Sequence, residues 1–299
     1  MAGFAQPCRY LPMRKRLLPF LSLPILLGAT AWWHLGSTLT AVEPHAVALP
    51  PALHAESMTL DAGPGRRVAA SFLPAPGATP RGGLLLLHGI HGDRRQMAAR
   101  AAFLQRRGYA VMLIDLPGQG ASTAPAVTFG LGEAEGVRAA LDALRRRVPG
   151  RRIGVIGVSL GAASLVLCRD CPEVDAAVLE SMYPTIEEAV EDRLRMRIGV
   201  LGAPLARMLL WQLPLRLGIQ PAQLRPIEHV AGLGMPLLVV AGSEDRHTTL
   251  AETRRLYGAA ASPKSLWVVE GAAHVDLHAY APAEYERRIG AFLDRYVGR

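Results

Sequence analysis

Ser159 stands in the run Gly157-Val158-Ser159-Leu160-Gly161, directly after the apolar segment Arg152-Ile153-Gly154-Val155-Ile156. A buried strand that stops at a serine between glycines describes a sharp strand-to-helix turn. Such a turn strains the central residue and lifts its hydroxyl clear of the sheet. A Cβ at Gly157 or Gly161 would collide with the neighbouring strand or helix. Residues 162–167 then read as a helix whose free N-terminal N–H groups face the serine. In a chain with 30 glycines the five-residue pattern alone also fits an idle serine in a tight turn. The strand before it and the helix after it weigh against that. A serine so placed is a nucleophile when a base takes its proton, and the base needs an acid to fix its tautomer.

Partners follow downstream. Residues 236–242 form an apolar strand ending in Ser243-Glu244-Asp245, and residues 265–270 form another followed by Gly271-Ala272-Ala273-His274. Serine, acid and histidine, each just past the carboxyl end of a strand, follow the α/β-hydrolase chain order. From about Glu56 to the C-terminus the chain resembles the α/β-hydrolase superfamily. The resemblance implies that Ser159 is the nucleophile, His274 the general base and acid, and Asp245 the orienting carboxylate. The strand 83–87 runs into His88-Gly89-Ile90-His91-Gly92, which looks like the family's oxyanion loop. By the same resemblance the backbone N–H groups of Ile90 and Leu160 would hold the developing oxyanion. The strand 109–114 ends in Asp115-Leu116-Pro117-Gly118-Gln119-Gly120-Ala121-Ser122, similar to a family loop that is structural in most members.

Other residues compete for roles. Glu180 ends the strand 176–179, near a point where some members of the superfamily place the acid, and Glu244 neighbours Asp245. Gly242-Ser243-Glu244-Asp245 matches the usual acid loop better, which favours Asp245. His91 reads as a structural loop residue and Asp276 as a capping or surface carboxylate. The histidines at 34, 45, 54, 229, 247 and 278 show no metal-ligand spacing. With no HExxH or repeated CxxC pattern, neither a metal nor a cofactor is expected.

The elements that must position these groups are legible. The 299 residues allow one α/β domain with a developed core behind a separate N-terminus. Strands that are apolar throughout imply a mostly parallel sheet with helices on both faces. Helical spacing of apolar residues marks 93–107, 132–147 and 283–297. Residues 181–232 are too long for a simple connection. They begin with a segment that has acids early and arginines late, as a helix dipole favours, and continue with the apolar stretch 204–217. This predicts a helical cap at about 182–232, its apolar underside receiving an acyl group and excluding water. Trp211 and its neighbours are candidates for membrane contact.

The net charge of +8 is carried almost wholly by arginine, scattered rather than arranged as a stripe with stacking aromatics, so nucleic acid is not an expected partner. Residues 1–16 form a basic, cytoplasmic N-terminus before about twenty mostly apolar residues, 17–36, with Trp32 and Trp33 at the far edge. That segment reads as a transmembrane anchor, with a cleaved signal as the alternative, since Ala29-Thr30-Ala31 offers a small-x-small site. Either way the domain at 56–299 lies on the extracytoplasmic, periplasmic side behind a linker at 37–55. There Cys168 and Cys171 could close a short disulfide.

The C-terminal half, from Glu180-Ser181-Met182-Tyr183-Pro184 to Glu284-Tyr285-Glu286, looks like the small membrane-anchored α/β-hydrolase-domain proteins. Met182 stands where that family usually has an aromatic residue or proline after Glu-Ser, so the resemblance does not define the pocket wall. The resemblance implies a serine hydrolase of a small apolar ester or thioester, acting through an acyl-enzyme. The alternatives are a serine peptidase of the same fold and a non-catalytic, membrane-tethered binding protein.

Overall fold

The structure, a computed structural model, describes residues 18–298. The basic segment 1–16 lies outside the described residues. The described residues divide into two units, with the boundary between residues 39 and 40. The first is built on helix α1 (Leu18–Thr40), 23 residues without Asp, Glu, Lys or Arg. At about 1.5 Å per residue such a helix exceeds the ~30 Å hydrocarbon core of a bilayer. Its Leu26, Leu27, Trp33 and Leu35 are exposed.

In the second unit, strands β1 (Glu56–Asp61), β2 (Arg67–Leu73), β3 (Gly83–Leu87), β4 (Ala110–Ile114), β5 (Ile153–Val158), β6 (Ala176–Glu180), β7 (Leu237–Gly242) and β8 (Lys264–Val269) form one sheet. Their order is β1-β2-β4-β3-β5-β6-β7-β8. From β4 to β8 all pairings are parallel, while β1 and β2 add an antiparallel hairpin at one edge. Leu84 to Leu87 and Val111 to Ile114 are fully buried, as strands covered on both faces must be. The hairpin has a different pattern. β1 is a polar edge strand whose side chains alternate between exposed and half-buried, so it offers no continuous apolar run to read.

The helices are α2 (Ala98–Arg106), α3 (Leu131–Arg147), α4 (Leu160–Val166), α5 (Ile186–Ile198), α6 (Gly202–Leu210), α7 (Gln212–Leu217), α8 (Leu250–Ala259), α9 (Leu277–Tyr280) and α10 (Pro282–Tyr296). The three helices read from apolar spacing thus appear at nearly the expected positions, the first as a 3-10 turn followed by α2. α3 is started by a buried glutamate: Glu133 accepts hydrogen bonds from Thr128 N (2.8 Å), Thr128 Oγ1 (2.6 Å) and Gly130 N (2.8 Å). α10 buries Tyr285, Ile289 and Leu293 against a core that includes Phe103, Leu104 and Trp267. Each such burial contributes about 1.5–3 kcal/mol.

The insertion between β6 and β7 is helical. Thr185 caps α5 through Glu188 N (3.2 Å), acids occupy the first turn and arginines the last. α6 packs back on α5. Gly202 permits the approach, because a Cβ there would lie 2.6 Å from Arg195 N. The stretch Ile186–Leu217 is long and apolar enough to cross a membrane by length and composition; here it is broken into three helices.

Two loops brace the framework. Asp115 is fully buried, accepts from Arg94 N (2.7 Å) and Ala121 N (2.8 Å), and pairs with the Arg94 guanidinium. Residues 41–50 have no regular structure, yet His45 N donates to Gly120 O (2.8 Å) and Val47 O accepts from Arg94 (2.8 Å). Cys168 and Cys171, just after α4, are joined by a disulfide.

Candidate active site

β5 delivers Ser159 at its carboxyl end and α4 leaves from it. The serine has φ 50° and ψ −109°, a left-handed backbone that an L-residue holds only under constraint. The constraint is visible. Ser159 N donates to Glu180 O (2.8 Å), and Ala163 N donates to Ser159 O (3.0 Å). A Cβ on Gly157 would come within 2.6 Å of Ala162 N, and one on Gly161 within 2.7 Å of His88 O and Leu87 O. Both glycines are therefore required for the turn. Ser159 is 2% exposed and its Oγ makes no hydrogen bond.

β7 and β8 end side by side, and the loops that follow bring Asp245 and His274 together. His274 Nδ1 is 2.8 Å from Asp245 Oδ2. Asp245 also accepts from Thr248 Oγ1 (2.9 Å), Thr248 N (3.0 Å) and His247 N (2.8 Å). Burial alone would raise its pKa. The bond and charge of His274, with the Thr248 and His247 amides, outweigh that and hold the carboxyl below its ordinary value. An ionised Asp245 needs a hydrogen on His274 Nδ1, which leaves Nε2 as the basic nitrogen.

The loop after β3 has its own device. His88 is fully buried; Leu116 N donates to its Nε2 (3.0 Å), so its Nδ1 carries the hydrogen donated to Gly89 O at 2.7 Å. Burial lowers the His88 pKa and keeps the ring neutral. Gly89 C=O and Ile90 N–H share one trans peptide, so holding the carbonyl aims the N–H the opposite way. Among the described residues, neither the Ile90 nor the Leu160 N–H donates to another group.

Residues 84–288 match the sequence profile of the Alpha/beta hydrolase family. The chain belongs to that family. An uncharacterized protein of Mycobacterium tuberculosis strain H37Rv is 31% identical over 217 residues, covering 71% of this chain and 69% of its own. Among solved structures, an esterase of Pyrococcus furiosus superposes with a TM-score of 0.70 at 21% identity, covering 86% of this chain and 99% of that one. The esterase domain of a Rhodothermus marinus protein gives 0.59 at 22% identity, with 82% and 100% covered. The fold of this hydrolase is thus shared with esterases.

The remaining carboxylates of this hydrolase serve elsewhere. Glu180 is turned into a buried cluster: Arg100 donates to its Oε2 (2.9 Å) and to the Tyr285 hydroxyl (2.9 Å), and that hydroxyl bonds Glu180 Oε1. Burial would weaken the Arg100 charge, but Glu180, Tyr285 and Asp276 together raise its pKa well above the usual range. Asp276 caps α9 through His278 N (3.0 Å) and Ala279 N (3.2 Å) and pairs with Arg100 at 2.8 Å. Glu244 and His91 are exposed. A surface groove lined by Arg145, Arg151, Arg152, Glu173 and Asp175 opens at the opposite, N-terminal end of β5.

Two features gave no signal in the sequence. His247 stacks on His274, ring centroids 4.9 Å apart and 27° from parallel, with its Nδ1 buried and unpartnered. Burial first, then the charges of His274, Arg193 and Arg197, lower its pKa, so it meets His274 as a neutral ring. Arg100 is the second. Its partners Glu180, Asp276 and Tyr285 lie far along the chain, where no spacing rule reaches.

Proposed function

We propose that the protein is a serine hydrolase of carboxylic esters or thioesters. The observation that carries this is the pairing of His274 with Asp245 in the loops after β7 and β8, together with the strained turn that holds Ser159 at the end of β5. In this reading Ser159 Oγ attacks the substrate carbonyl carbon while His274 Nε2 takes its proton. Asp245 stabilises the imidazolium, and the Ile90 and Leu160 N–H groups receive the oxyanion. His274 returns the proton to the departing alcohol or thiol. Water, activated by the same nitrogen, then cleaves the acyl-enzyme to the acid and restores the serine. The likeness to esterases supports the choice of substrate class by fold.

The cap supports an apolar substrate delivered at a membrane. Val200 (90% exposed), Trp211 (72%), Leu215 (71%) and Leu201 (64%) project from it, and no Asp or Glu occurs between residues 193 and 227, where six arginines do. Apolar side chains among cations suit an anionic lipid surface. α1 would anchor the chain, with the hydrolase on the extracytoplasmic side.

The test is labelling of the full-length chain in detergent with a fluorophosphonate probe, beside Ser159→Ala. Labelling lost in the variant, with p-nitrophenyl ester turnover falling by about 10⁶, is expected. A folded wild-type protein that neither labels nor turns over would favour a binding role.

A further inference from the structure

The underside of the cap holds a cation that forms no ion pair among the described residues. α5 buries Ile186 and Ala189, and residue 193 lies one turn further along the same face. Arg193 Nη1 donates to Ala189 O at 2.8 Å, which lays the side chain back along that face. Among the described residues the guanidinium makes no other hydrogen bond and no ion pair. Its charge reaches Tyr183, Asp245 and Asp192, and also His247, so α5 carries it within electrostatic range of the loop that follows β7.

No carboxylate forms an ion pair with it among the described residues. Glu187 is taken by Arg225 (2.8 Å), Glu188 by Arg255 (2.7 Å) and Glu191 by Arg195 (2.6 Å). Asp192, one residue back and so on a different face of α5, is turned toward Glu252 of α8, its Oδ2 buried without a partner. Both oxygens of Asp245 are engaged by His274, Thr248 and His247. Partly burying an unpaired cation is costly, and burial lowers the Arg193 pKa accordingly. The remaining N–H groups form a planar fork suited to two oxygens of an anion. One turn further on, Arg197 is exposed, and its positive charge also reaches His247.

We propose that Arg193 binds an acidic group of the substrate, a carboxylate or a phosphate, so that the esters cleaved carry an anion several bonds from the scissile carbonyl. The proposal deepens the ester-hydrolase reading and rests on it for the position of the reacting carbon. The spacing follows from the sheet. The oxyanion loop follows β3 on one side of Ser159, while Asp245 and His247 follow β7, two strands from β5 on the other. That is about 10 Å at ~4.8 Å per strand, which places carbonyl oxygen and anion at opposite ends of the substrate.

The decisive experiment compares kcat/KM for mono-p-nitrophenyl hemiesters of succinate through suberate with neutral p-nitrophenyl esters of equal length. Lysophosphatidate against monoacylglycerol forms the phosphate arm. The wild-type chain is expected to favour one acidic series. Arg193→Gln should cut the acidic-to-neutral ratio at least about tenfold, and Arg193→Lys should keep part of it. A ratio unmoved by Arg193→Gln overturns the proposal. Calorimetry on Ser159→Ala separates this from the parent reading. There, the preferred acidic ester should lose at least about tenfold in affinity when Arg193→Gln is added. Equal affinities overturn the anion site whatever the turnover. Anion binding that depends on Arg193, without turnover by the wild type, overturns ester hydrolysis alone.

Discussion

Glu180 ends β6 and Asp245 lies in the loop just past the neighbouring β7, and both are almost wholly buried, at 1% and 4% exposure. One is paired with Arg100 and Tyr285, the other with His274 and three donors of its own loop. A carboxylate locked to a permanent cation has its charge already answered and cannot respond when an imidazole gains a proton. Asp245 is bonded to no arginine or lysine, so its charge is available to the ring. Being at the carboxyl end of a strand therefore makes a carboxylate a candidate, and the nature of its partners decides between scaffold and chemistry.

That contrast can be broken by experiment. Asp245→Asn, which permits the wrong His274 tautomer, should lower kcat by about 10⁴ with the melting temperature nearly unchanged. Glu180→Gln should do the reverse. It leaves Arg100 buried with only the half-exposed Asp276 as counter-ion, and stability should fall by about 3–5 kcal/mol in denaturant titration, while kcat per folded molecule stays within severalfold. Equal stability with lost turnover in Glu180→Gln would move the orienting role to Glu180.

A smaller effect sharpens the picture at the cap. Burial first, with the charges of Asp192 and Glu188, pushes the Glu252 carboxyl up to about 7 against the opposing Thr249 hydrogen bonds. The folded state then holds this proton more tightly than the unfolded chain, whose value is near 4.5. Stability from this group is therefore greatest below the ordinary value and declines as pH rises to about 7. Glu252→Gln should flatten that decline and raise the melting temperature at pH 8 by about 2–4 °C, read by scanning calorimetry across the range.

The strand-end motifs were legible because their meaning is local: the glycines around Ser159 and the apolar strands before Asp245 and His274 each fit in a few residues. Glu180 and Asp245 could be ranked only by loop type, because the pairings that separate them join residues on α2, β6 and α10. The β1–β2 hairpin escaped because a polar edge strand carries half the apolar signal of a covered one. The cap was legible as an excess of length, and its α5–α6 contact depends on Gly202, a residue with no motif around it. His247 was legible only as a histidine without metal spacing; that its ring lies on His274 follows from how two loops close.

Arg100 joins α2 to the loop behind His274 through Asp276. The three residues assigned to the chemistry, Ser159, Asp245 and His274, are all encoded in the latter half of the chain, yet the half that precedes them supplies this tether. A fragment starting at β5 would carry these three side chains but neither Ile90 nor the anchorage of the His274 loop. The active site is thus a property of the closed chain rather than of the stretch that spells it.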